Sequence, residues 1–191
     1  MHRLETYFTR YTTLSQASKD FLSSHGRIRN FKKGSYFVGQ HELKHKWCFL
    51  LDGLIGYEIL DRHGKMQLER LGTVHQYFVG TKHAFSPNGA AVAVRFLQNS
   101  TVYTISNIHL QTGIRQYTEL SQVYHILKQH SLDALYIFIR INKLDRIQRL
   151  AYLYSQLPEV KGQLTVRQIC SLLGYTNTKH YYQALEYYYN Q

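Results

Sequence analysis

The spacing of apolar positions changes character twice along the chain. Near the start, Leu4, Phe8, Tyr11, Leu14, Phe21 and Leu22 fall near one face of a helix over residues 4–24, with Ser15 as N-cap of its second part. From Phe31 the period shortens to short strands broken by turns. Residues 31–40 set Gly34 and Gly39 around an aromatic-rich strand, and residues 46–72 read as a three-stranded meander. That meander turns at Asp52-Gly53 and again over residues 61–64, with Gly56 expected at a bulge or close approach. Segments 77–80, 91–98 and 101–106 bring the total to seven or eight strands. Short antiparallel strands in that number predict two sheets closing into a jelly-roll-like barrel.

Near residue 107 the helical period returns and holds to the end. Val123, Leu127, His130, Ala134, Ile137, Ile141, Leu144, Gln148 and Ala151 recur by fours and threes, which predicts a heptad seam for a parallel two-helix contact. Leu132, Leu135 and Ile139 form a second stripe, expected to pack on the barrel. Farther on, Ile169, Cys170, Leu172 and Leu173 lie at helical spacing and Gly174 closes the run. Residues 175–178 then make a turn and residues 179–189 a second helix, so a helix-turn-helix is expected over residues 164–189. The fold class expected is α+β: a double-stranded β-helix (jelly-roll-like β-roll), a long dimerisation helix, and a small helical helix-turn-helix domain. The expected divisions are 1–113, 114–154 and 155–191.

Composition changes the picture in two respects. The formal net charge of +11 favours an anionic partner, although the excess of Lys and Arg is spread over both halves of the chain. Only Cys48 and Cys170 carry thiols, each inside an apolar run, so neither a disulfide framework nor a thiolate metal site is expected. His41 and His45 are four apart in a loop or strand, and His75 and His83 lack a carboxylate or thiol companion, so no metal site is expected. The first residues lack the apolar core of a signal peptide and nothing approaches a membrane span; a cytoplasmic location and no membrane partner are expected. No His-x-His pair of a cupin and no paired catalytic carboxylates stand out, so no enzymatic role, no catalytic residue and no cofactor are expected.

Several landmarks stand in a fixed order: Lys33-Gly34-Ser35 before a strand, Gly53-Leu54-Ile55, the hairpin His63-Gly64-Lys65, and Phe78-Val79-Gly80. Followed by a long helix and a helix-turn-helix, they make the chain resemble the Crp/Fnr transcription regulators over about residues 20 to 178. His63 stands where Asp or Asn is usual. Closing after the second helix without a β-wing, the chain is similar to the short Bacteroidetes-type members. The resemblance implies a cyclic-nucleotide-binding-like β-roll, a homodimer and double-stranded DNA as partner. It further implies a small-molecule effector of unknown identity and contact with RNA polymerase.

Nucleotide-binding members follow the cassette Gly with a Glu for the ribose hydroxyl and later place an Arg-Ser or Arg-Thr pair on the phosphate. This chain departs from both. Thr81 stands at the Glu position, and Ala90-Ala91, allowing a one-residue gap, at the pair. An alanine cannot give a phosphate the charge-assisted bidentate bond that an arginine supplies. The resemblance therefore implies a degenerate pocket lined by Gly80, Thr81, Lys82, Ala90 and Ala91, with Lys82 or Arg95 the cations at hand. In the helix-turn-helix, Asn177, Thr178, Lys179, Tyr182 and Gln183 are expected at the DNA, with Arg167 of the first helix on a phosphate and Thr178 capping the second. The required frame turns Tyr181, Ala184, Leu185 and Tyr188 inward. The alternative expectation is a ligand-binding or protein-interaction module of this fold that no longer reads DNA.

Overall fold

The computed structural model describes residues 1–190. Two short helices, α1 (His2–Phe8) and α2 (Gln16–His25), precede eight strands: β1 (Gly26–Phe31), β2 (Tyr36–Val38), β3 (Lys44–Asp52), β4 (Ile55–Leu60), β5 (Met66–Gly72), β6 (Tyr77–Gly80), β7 (Ala93–Phe96) and β8 (Ser100–Ser106). Five helices follow: α3 (Asn107–Gln116), α4 (Thr118–Lys143), α5 (Arg149–Gln156), α6 (Val166–Leu173) and α7 (Thr178–Tyr189). The strands form two four-stranded sheets of order β1-β8-β3-β6 and β2-β7-β4-β5. The chain divides into two compact units, one of Met1–Ile59 with Leu71–Ser131, the other of Leu60–Arg70 with everything from Leu132 on.

In the first unit, alternation along β3 decides the packing. Cys48 and Leu50 point between the sheets, where they meet Phe37, Ile55, Val94 and Phe96 of the other sheet. Trp47, Phe49 and Leu51 point the opposite way and are covered by Phe8 of α1, Phe21 of α2, and Val123 and Leu127 of α4. Successive strand residues face opposite sides of a sheet. A run that is apolar at every position is therefore buried on both faces, and the outer face must find helices to cover it.

The expected single N-terminal helix is two. Its second part begins where expected, with Ser15 Oγ accepting from the Ser18 amide at 3.2 Å. Thr12, Thr13 and Ser15 intervene, and short hydroxyl residues favour capping over helix interior. Gly56 makes no bulge; it pairs in register with Arg95. The irregularities fall elsewhere, at Tyr36/Val38, Lys44/Trp47 and Leu50/Asp52. Gly53 turns the chain at φ 101°, a left-handed conformation that suits glycine.

The two stripes of the long helical region are not buried as expected. Val123 and Leu127 are only 2% exposed and His130 lies edge-on to Tyr11 at 5.5 Å, so this part of the expected seam is packed inside the first unit. Ile141, 1% exposed, is buried as well. Leu132, Leu135, Tyr136 and Ile139 are instead 50%, 39%, 64% and 42% exposed. The helix also ends at Lys143, so Leu144, Gln148 and Ala151 do not continue one seam.

Gly26 joins α2 to β1, and a Cβ there would collide with the ring of buried Tyr103, whose hydroxyl donates to the Leu22 carbonyl at 2.8 Å. Gly26→Ala should displace that ring and cost about 1–3 kcal/mol, in line with other overpacked interiors. Urea unfolding of the full chain measures this; an unchanged midpoint would mean that the ring has room to move.

Candidate nucleic-acid interface and effector cassette

The cassette lies in the first unit, between β6 and β7. Gly80 pairs with Lys44, and a Cβ on it would strike the Lys44 carbonyl. Thr81 is fully buried and turned to structural use: its hydroxyl donates to the His83 carbonyl at 2.8 Å and accepts from Asn107 Nδ2 at 3.0 Å. Lys82 is exposed, with its amide donating to the Asn88 carbonyl at 2.8 Å. Ala90 accepts from the His41 amide at 2.9 Å, and Ala91 is exposed. Between the sheets the space is filled by aromatic rings: Phe31 stacks on Phe96 at 4.3 Å and Phe37 meets Phe78 edge-on at 5.1 Å.

Arg95 is committed to a protein partner. Its Nη1 lies 3.6 Å from Glu58 Oε1 and its Nε donates to the Gly34 carbonyl at 3.3 Å. The Tyr36 hydroxyl donates to the other Glu58 oxygen at 2.9 Å. Burial, then the hydrogen bond to Glu58, pushes the Tyr36 phenol above its ordinary range. Removing either charge would leave the other poorly matched in a partly buried place. A sequence of alternating strand residues carries no signal for this pair, because Glu58 and Arg95 meet only across β4 and β7.

In the second unit the helix-turn-helix is built from local capping. Thr165 Oγ1 accepts from the Gln168 amide at 3.2 Å while Gln168 Oε1 accepts from the Thr165 amide at 2.9 Å, a reciprocal cap that starts α6. Gly174, at φ 67°, ends it in the left-handed conformation. Arg149 ties the unit together by donating to the carbonyls of Leu144 at 3.1 Å, Leu173 at 2.8 Å and Asn142 at 3.4 Å. Leu144 and Asn142 lie at the end of α4 and Leu173 at the end of α6, where free carbonyls collect partial negative charge. The Ser171 hydroxyl of α6 donates to Gln67 Oε1 at 3.0 Å and accepts from the Leu68 amide at 2.7 Å, so residues 60–70 are held to α6. Neither Arg149 nor Ser171 is legible in the sequence as such.

The shifted frame of α7 is the one present. Ala184 is fully buried, Tyr181, Leu185 and Tyr188 are half-buried, and Lys179, Tyr182 and Gln183 are exposed. Tyr188 packs edge-on against Tyr154 at 5.4 Å. Arg167 is exposed on α6. Asn177 is different from expectation: its Oδ1 accepts from the His180 amide at 3.2 Å, making it the N-cap of α7. Thr178, expected to cap, is the first residue of the helix. Asparagine is among the strongest N-caps, and this oxygen serves the backbone of α7. Sequence reasoning also passed over Glu186, exposed one turn beyond Tyr182, which with Asp145, Arg146, His180 and Gln183 lines an open cleft of about 680 Å³.

Among the described residues no group of three or more His, Cys, Asp or Glu side chains is placed to hold a metal ion, and no helix is long and apolar enough to cross a membrane. No known family model and no curated protein matches the sequence. Solved structures do match in fold. FixK2 from Bradyrhizobium japonicum superposes with a TM-score of 0.71 at 14% identity, over 87% of this chain and 85% of its own. A putative Crp/Fnr-family transcriptional regulator from Eubacterium rectale gives 0.70 at 14% identity, over 97% and 88%. The c-di-GMP responsive global regulator CLP from Xanthomonas campestris gives 0.66 at 14% identity, over 92% of each chain. From β-roll to helix-turn-helix, the chain has the fold of the Crp/Fnr transcription regulators.

Proposed function

We propose that the protein is a DNA-binding transcription regulator that acts as a homodimer and whose cyclic-nucleotide pocket is degenerate. The observation that carries this reading is the capped α6–turn–α7 pair with Lys179, Tyr182 and Gln183 presented together on the outer face of α7. A helix so presented is what a major groove admits. Lys179 and Arg167 would hold phosphates, Gln183 and Tyr182 would meet base edges, and Asn177 with Thr178 would set the start of the helix. The reading includes RNA polymerase as protein partner, a small-molecule effector and a cytoplasmic location, and it assigns no catalytic role. One observation favours the alternative of an interaction module: Glu186 and Asp145 put negative charge beside the face that would meet DNA.

Leu132, Leu135, Tyr136 and Ile139 recur at helical spacing on α4 and are the apolar side chains left uncovered there. They replace the expected seam as the dimer contact, because Val123, Leu127 and Ile141 are used within the protomer. Replacing Leu135 and Ile139 together with Glu should convert the dimer to a folded monomer in sedimentation. If that variant keeps the mass of a dimer, the helix pairs through another face.

Each phosphate contact adds about 0.9 to the log–log salt slope, whereas a good bidentate base contact is worth about 1–3 kcal/mol of discrimination. Arg167→Ala and Lys179→Ala should therefore weaken binding to every duplex and flatten its salt dependence. Gln183→Ala should relax preference at particular positions of each half-site. Asn177→Ala should act on stability, by about 0.5–2 kcal/mol, as loss of a cap does. Selection from random duplexes decides the assignment: no preferred sequence for the unaltered protein would leave only the interaction module.

Calorimetry with cyclic AMP at millimolar concentration should give no saturable heat. Thr81 is spent on His83 and Asn107, Arg95 is paired with Glu58, and aromatic rings fill the space between the sheets. Micromolar binding would show that Lys82 and backbone donors suffice for a phosphate.

A further inference from the structure

The turn between β5 and β6 fixes the position of one imidazole. The Gln76 amide donates to the Thr73 carbonyl at 3.2 Å, closing a turn whose third residue, His75, takes φ 71°. That left-handed turn position favours glycine or asparagine. The turn is tied to β3 from both sides: the His75 amide donates to the Leu50 carbonyl at 2.8 Å, and the Leu50 amide to the Gln76 carbonyl at 2.9 Å. The side chain held there lies flat on the Tyr7 ring of α1, with centres 4.2 Å apart and planes 16° apart. From β3 the imidazole meets Phe49, with centres 6.2 Å apart. His75 is half-buried, and it joins the outer face of β3 to the helix that covers it.

α1 has seven residues and no side-chain bond at its N-cap, so packing alone keeps it in place. Tyr7 and Phe8 lie on Phe49 at 5.3 and 5.4 Å. Just beyond the helix, the Tyr11 hydroxyl donates to that of Tyr7 at 3.0 Å, and the Tyr11 ring meets His130 of α4 edge-on. The charged groups that act on His75 are both positive: Arg10, whose guanidinium carbon lies 5.3 Å from the centre of the Tyr7 ring, and Arg3, one turn before Tyr7. Glu5, the carboxylate of α1, stands two positions from Tyr7 and therefore on another face. Burial first, then Arg10 and Arg3, holds the imidazole below its ordinary range. Burial also pushes the Tyr7 phenol up, so it carries no charge that could offset an imidazolium. An aromatic face attracts a cation, but Arg10 already stands over this one.

We propose that His75 is a pH-sensitive latch for α1. Neutral, it stacks on Tyr7 and holds the helix against β3. Protonated, it becomes a further cation beside Arg10 and Arg3, and it gains water only when α1 lifts. A group that binds its proton more weakly in the docked state than in the free one favours docking at high pH. The latch is therefore closed above the ordinary imidazole value of about 6.5 and opens as the pH falls below it. Lifting α1 uncovers Phe49 and breaks the contact of Tyr11 with α4. The latch is independent of DNA reading, since every group in it belongs to the first unit and its test needs no DNA.

Hydrogen exchange of the full chain, corrected for the intrinsic effect of pH, is compared at about pH 8 and about pH 5.5, which bracket the charge change of an imidazole. The amides of residues 5–11 should lose protection severalfold on acidification, while those of β3 and β8 keep theirs. His75→Asn tolerates the left-handed turn but does not titrate, and it should make exchange of residues 5–11 independent of pH. Arg10→Glu sets a carboxylate against the imidazolium and should shrink the acid loss. In that variant the His75 ring protons, followed by NMR, should titrate at a higher pH than in the unaltered chain. Should His75→Asn not fold, Arg10→Glu and the ring titration still decide. Protection of α1 that does not change over this range, or a loss shared by β3 and β8, would overturn the proposal. So would a loss that Arg10→Glu leaves undiminished, or one that persists in His75→Asn and so puts the titrating group elsewhere, as at His130.

Discussion

The burial of one sheet on both faces governs the rest of the molecule. In β3 the run from Trp47 to Leu51 is apolar at every position, and its two alternating sets enter two separate cores. Cys48 and Leu50 close the space between the sheets. Trp47, Phe49 and Leu51 require an apolar cover, and α1, α2 and the first half of α4 supply it. Apolar area withdrawn from water is the main favourable term in folding, so side chains that can cover this face are drawn to it first. That commitment uses up Val123 and Leu127. What remains exposed on α4 is the stripe that begins at Leu132, where the second unit also begins.

The helical unit has a different physical basis. Its helices α5 and α6 have only eight residues each, too short to be stable from propensity alone. Their ends are therefore matched one by one: Thr165 with Gln168 at the start of α6, Gly174 at its finish, Asn177 at the start of α7. The Arg149 guanidinium collects three carbonyls from two helix ends and the following segment. Several charge-assisted bonds to helix C-termini suit the one side chain that carries five donors in a planar fork.

The β-roll was legible because turn chemistry and two-residue alternation are local: Gly53 and Gly64 stand at left-handed φ, where turns were expected. The inward and outward positions of α7 were legible for the same reason, once Ala184 was taken as the inward residue. The two stripes of α4 were not. Both are apolar at helical spacing, and which one is covered depends on the outer face of a sheet far away in sequence. Glu58 with Arg95, Arg149 with Leu173, and Thr81 with Asn107 were equally out of reach, since each is a contact across elements with no periodic trace. The capping role of Asn177 was not read from the sequence, where an Asn ahead of a helix suits several roles; the φ of −151° with the His180 bond shows it.

Thr81 connects the departure from the nucleotide-binding pattern to the geometry that replaces it. A glutamate at this position would bring a charge to a fully buried site, where it would need a ligand or a cation to be tolerable. Threonine needs only one acceptor and one donor, and finds them in His83 and Asn107. Satisfying Thr81 in this way turns Asn107 so that its carbonyl loses any partner of its own. The unmet acceptor thus passes from the cassette to the start of α3.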